Sequence, residues 1–62
     1  MKAYEDLPKE LKVKIEAVCS SDPYGLSPAT LYRNIYTSSG SPVQLALIFE
    51  VTPSLVRAIK ES

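Results

Sequence analysis

The sequence predicts an all-α fold, a small bundle of four short helices, and three observations carry that prediction. Apolar residues recur at three- and four-residue spacing in four stretches, whereas no run alternates with period two for more than a few residues. Three of the stretches open on a hydroxyl followed by proline: Ser27-Pro28, Ser41-Pro42 and Thr52-Pro53. The hydroxyl caps free N–H groups, and the proline fixes φ where its own missing N–H is not needed. Clusters of Ser, Asp, Pro and Gly then separate the stretches.

Residues 1–7 read as frayed up to Leu7. Asp6-Leu7-Pro8 starts the first helix, spanning about 8–19, with proline tolerated in the first turn. Leu11, Ile15, Val18 and Cys19 fall on one stripe, Val13 and Ala17 widen the apolar face, and Lys9, Lys12 and Glu16 point outward. Ser20-Ser21-Asp22-Pro23-Tyr24-Gly25 ends the helix.

The second helix, about 28–37, carries Leu31 and Ile35 on its apolar stripe, with Tyr32 or Tyr36 beside them, and stops at Ser38-Ser39-Gly40. The third runs over about 42–49 and the fourth over about 53–61. Tyr4, Tyr24, Tyr32 and Tyr36 are expected at core edges with hydroxyls in water.

Sixty-two residues make one small domain. A chain of this size buries only about 60% of the surface its unfolded form exposes, so modest stability is expected. Apolar residues at 45% and charged ones at 23% suit a globular fold rather than a disordered chain. No apolar run reaches about 18 residues, which excludes a membrane span, and MKAYEDLPKE lacks the apolar h-region of a secretory signal. The opening methionine and compact ending read as a complete protein, and a cytoplasmic location is expected.

The chain contains one cysteine and no histidine. Cys19 therefore reads as a core thiol: a nucleophile would need a nearby base, and a zinc site more ligands. No carboxylate pair stands in an apolar setting and no glycine-rich phosphate loop is present, so neither an enzyme nor a cofactor is expected. Seven Lys and Arg balance seven Asp and Glu, which counts against nucleic acid because phosphate neutralisation supplies most non-specific affinity. The asymmetry between the two halves of the chain is too small to decide the matter.

The last two helices carry the most informative pattern. Leu45, Ala46 and Phe49 share one face of the third, Val51 sits in the turn, and Val56 and Ile59 line the inner face of the fourth. A small side chain at Ala46 lets the two axes cross closely. The order Ala46, Phe49, Val51, Val56, Ile59 resembles the helix-turn-helix of phage repressors and of resolvase- or transposase-type trihelical modules. The resemblance covers about 28–61, leaving the helix at 8–19 as an addition. A second stretch, Ser27-Pro28-Ala29-Thr30-Leu31-Tyr32-Arg33, resembles a resolvase-type recognition helix and would place the motif at 15–36, but Asp22-Pro23 stands in the path of the helix this requires.

What the resemblance implies is a regulator of phage or bacterial type binding double-stranded DNA, with helix 53–61 in the major groove. Thr52, Ser54 and Arg57 are then the base-side candidates, Arg57 foremost because guanidinium pairs bidentately with guanine. Leu55 or Ala58 would touch a thymine methyl, and Ser41, Gln44 and Lys60 would reach phosphates, with Arg33 more remote. A homodimer through Leu47, Ile48 and the 8–19 helix would ask for half-sites about 34 Å apart.

Each residue also has a plainer role. Ser41 and Thr52 are helix caps worth about 1 kcal/mol each, Lys60 suits the negative end of the last helix, and Arg57 can pair with Glu61. The chain departs from the pattern at Glu50, where glycine is usual because the turn favours positive φ. Leu47, Ile48, Leu55 and Ala58 stand where polar residues are expected. The alternative is a protein-interaction module on the same frame, binding a polymerase subunit or another regulator.

Overall fold

The computed structural model describes residues 1–21 and 24–62. Its elements are α1 (Lys9–Cys19), α2 (Pro28–Thr37), α3 (Pro42–Phe49) and α4 (Pro53–Glu61), preceded by one 3₁₀ turn at Tyr4–Asp6. The hydroxyl-proline starts act as the sequence suggests. Ser27 Oγ accepts from the Thr30 amide at 3.3 Å, and Thr52 Oγ1 accepts from the Leu55 amide at 3.2 Å. At α3 the cap is reciprocal: Ser41 Oγ accepts from the Gln44 amide at 3.2 Å, and Gln44 Oε1 from the Ser41 amide at 3.0 Å. Gly40, at φ 125°, makes the approach to this box, where a Cβ would stand only 3.2 Å from Gln44 Oε1.

α1 starts differently, since Pro8 is its N-cap rather than its first helical residue and supplies no side-chain cap. The segment before it is not frayed. The 3₁₀ turn brings Tyr4 against the core, and Leu7 is buried. At the other end of α1 the backbone is helical through Cys19, while the Asp22-Pro23 stop lies outside the described residues.

α4 is the element around which the others gather, packing against α1, α2 and α3. Leu55, Val56 and Ile59 of α4 are buried together with Leu11 and Ile15 of α1, Leu31, Tyr32 and Ile35 of α2, and Leu45 and Ala46 of α3. Among the described residues no polar or charged residue is buried and no buried polar side-chain atom lacks a partner. The Cα radius of gyration is 10.4 Å, against about 10.6 Å expected of a compact chain this long, so α1 belongs to the same body as the other helices.

α3 and α4 meet at a three-residue connection, Glu50 to Thr52, across which the helix direction changes by 113°. That angle and turn length fall within the helix-turn-helix range. Glu50 takes the left-handed conformation, φ 59° and ψ 45°, and the Val51 amide donates back to the Ala46 carbonyl at 3.0 Å. This is the long-range bond of a Schellman ending, with glutamate where glycine is usual. By contrast, α1 ends at Cys19 and α2 begins at Pro28, too wide a gap for a second tight-turn motif over 15–36.

Three expectations about side chains need correction. Val13 does not widen the apolar face of α1, because it is 53% exposed, and Ala17 is likewise exposed, lining the margin toward the start of α4. Cys19 is half-buried at the core margin rather than inside it. Three of the four tyrosine hydroxyls are not left to water. Tyr4 donates to Glu16 Oε2 at 3.1 Å, Tyr24 to the Phe49 carbonyl at 2.5 Å, and Tyr32 lies 3.3 Å from Ser62 Oγ. The rings of Tyr4 and Tyr36 flank Tyr32, with centroids 6.3 Å and 5.9 Å from it.

Candidate nucleic-acid interface

The side of α4 opposite its buried stripe carries Ser54, Arg57 and Glu61, all exposed, with half-buried Ala58 between them. These positions recur at three- and four-residue spacing, so they form one outward ridge on a helix whose inner side is locked by three neighbours. Thr52, exposed at the head of the helix, adds its hydroxyl 3.3 Å from that of Ser54. Thr52, Ser54, Arg57 and Ala58 are thus brought together much as the sequence suggested.

Leu55 is not part of this ridge. It is only 4% exposed, because α1 covers the flank of α4 that a simple three-helix unit would leave open. A side chain held there cannot reach a thymine methyl group, and Leu55 belongs to the core. Leu47 and Ile48 are as exposed as expected, at 77% and 68%, and Val43 joins them at 58%. Together they make the outer face of α3 apolar, on a helix with no charged residue.

Ser41 and Gln44 stand exposed at the start of α3 but are occupied with each other in the capping box. Gln44 retains its side-chain amide donor, since only Oε1 is used there. Lys60 is committed elsewhere than the sequence suggested. Its ammonium donates to the Tyr36 carbonyl at 3.1 Å and to the Ser38 carbonyl, tying α4 to the C-terminal end of α2. Arg33, also exposed, lies with Lys2, Tyr4 and Glu5 around a shallow depression beside the N-terminal segment.

Lys14 escaped the sequence reading. Lys14, Ala17 and Val18 of α1 line a groove of about 580 Å³ with Glu50, Val51, Thr52, Ser54 and Leu55. The first turn of α4 therefore has α1 as a near neighbour. The signal was present in the pattern, since Lys14, Ala17 and Val18 share one side of α1, but its destination was set only by tertiary packing. A smaller depression of about 210 Å³ lies beyond the turn, between Tyr24, Leu26, Ile48, Phe49 and Glu50.

The titratable groups with displaced pKa values lie in the supporting structure. Burial raises Tyr4 to about 12, helped by its hydrogen bond to Glu16. Burial likewise pushes up Tyr24 and the Cys19 thiol, the latter assisted by the charge of Glu16, so Cys19 stays protonated at neutral pH. Among the described residues no three His, Cys, Asp or Glu side chains converge as metal ligands, and no single helix is long and apolar enough to cross a membrane.

The fold and the ridge define a small all-α bundle whose last two helices have helix-turn-helix geometry and whose last helix presents a short polar edge. No protein-family model, curated protein or solved structure shows a significant match to the chain.

Proposed function

We propose that this chain is a small DNA-binding protein of the regulator type, which docks the N-terminal half of α4 in the major groove. The observation that carries the reading is the 113° junction of α3 and α4, closed at a left-handed Glu50 and filled by Ala46. It leaves Thr52, Ser54 and Arg57 exposed along one edge of a helix held from behind by three others. Such an edge matches the width of the major groove, about 12 Å, and Arg57 offers the fork that pairs with guanine. Ser41 and Gln44 are the phosphate contacts of α3, while Ala58 offers a small apolar surface to a thymine methyl. Two copies, meeting through Leu47 and Ile48 but not through the 8–19 helix, whose Leu11 and Ile15 are buried in the core, would read half-sites about 34 Å apart.

A second reading is favoured by one specific observation. Val43, Leu47 and Ile48 are all more than half exposed on an uncharged helix, a kind of patch that marks protein-binding surfaces. On this reading the partner is another protein and α4 is only scaffold. Leu47→Glu and Arg57→Ala discriminate the two readings. Measured by fluorescence anisotropy on a duplex carrying a selected binding site, Arg57→Ala should weaken binding about fivefold or more, the 1–3 kcal/mol of a lost arginine–guanine contact. Leu47→Glu should preserve the affinity of each module. If Arg57→Ala binds DNA like the parent, the base-reading role assigned to α4 is wrong.

A further inference from the structure

α4 is short of cations for a helix that docks on phosphate-lined DNA. Arg57 stands on its outward ridge, but Lys60 is spent on the Tyr36 and Ser38 carbonyls and Arg33 lies beside the N-terminal segment. Glu50 adds a negative charge at the turn itself. Since phosphate neutralisation dominates non-specific affinity, the deficit has to be met from another element.

We infer that Lys14 of α1 meets it, as a phosphate-contacting cation beside the recognition helix, which makes α1 part of the DNA-binding surface. The inference rests on the DNA reading above. Lys14 is exposed and lines the same groove as Glu50, Thr52 and Ser54, so it stands beside the first turn of α4. A helix whose N-terminal half enters the major groove has phosphates on both flanks. The flexible four-carbon stem of lysine lets the ammonium follow the nearer strand. The apolar floor of the groove, Val18 and Leu55, takes no part and serves the core.

The test is a salt series on the full chain with a short random-sequence duplex, read by fluorescence anisotropy as log affinity against log salt. Lys14→Gln should reduce the magnitude of the slope by about 0.9, one phosphate contact, and Lys14→Arg should restore it. Lys9→Gln, exposed on α1 but outside the groove, should leave the slope unchanged. A normal slope in Lys14→Gln, or an equal loss in Lys9→Gln, would overturn the role of Lys14 while leaving DNA binding intact. A parent chain with no salt-dependent binding would overturn the DNA reading, and this inference with it. Thermal melting of all variants by circular dichroism separates loss of contact from loss of fold.

Discussion

The Val51 amide donates to the Ala46 carbonyl at 3.0 Å, spanning a Glu50 whose φ of 59° an L-residue adopts only at a cost. That bond closes the turn that joins α3 to α4. The left-handed conformation costs about 1–2 kcal/mol for a residue with a Cβ. Glycine avoids this but loses about 0.5–1 kcal/mol through the greater freedom of the unfolded chain. Glu50→Gly should therefore stabilise the protein by about 0.5–1 kcal/mol, a rise in Tm of a few degrees. Thermal unfolding followed at 222 nm checks this, and a lower Tm would mean that the Glu50 side chain supports the turn.

Ala46 is buried where the two helices cross, at 6% exposure. Ala46→Leu would force the axes apart, since a well-packed core accepts extra methylenes at about 1–3 kcal/mol. Chemical denaturation should show that loss. An unchanged midpoint would mean that the crossing has room, contrary to the packing described.

Leu55 and Leu47 have the same side chain in opposite surroundings, 4% and 77% exposed. Leu55→Ala should cost about 2–5 kcal/mol, enough to leave a domain this small largely unfolded at 37 °C. Leu47→Ala should stay within about 0.5 kcal/mol. Equal effects in urea titrations would contradict the assignment of Leu55 to the core.

Tyr4 has its pKa raised to about 12, first by burial and then by donating to Glu16. Its folded value lies above the unfolded one of about 10, so the folded state holds the proton more tightly. The contribution is therefore complete below about pH 10 and is lost as the pH rises toward 12. Stability measured by denaturant titration should begin to fall above about pH 9, where the raised Cys19 thiol starts to contribute, and fall more steeply above pH 10. Tyr4→Phe should flatten the part of that fall above pH 10, leaving a smaller one from Cys19 and Tyr24, whose pKa values burial also raises. An identical alkaline profile in Tyr4→Phe would contradict the described contact.

How much of this was legible in the sequence depended on the range of the interactions involved. The starts of α2, α3 and α4 were readable because a capping hydroxyl and its proline act within four residues. α1 began one residue late because Pro8 caps it from outside the helix. The inner face of α4 was read from Val56 and Ile59, but the buried arc widens to Leu55 because α1 packs on that flank, and no local pattern encodes a neighbour some forty residues away in the chain. The same holds for Lys60, whose partners lie 24 and 22 residues earlier, and for Tyr24, bonded 25 residues ahead. Lys14 looked like one charge among several on a solvated helix until the fold set it beside Thr52 and Ser54.

The most direct measurement of the central claim is an amide NMR titration of the full chain with random duplex DNA, at low and at physiological salt. DNA binding through this surface predicts salt-sensitive shifts gathered on Ser41–Ala46 and Thr52–Glu61, with Lys14 and its neighbours on α1 among them. Shifts absent even at low salt, where the electrostatic attraction is strongest, would contradict it.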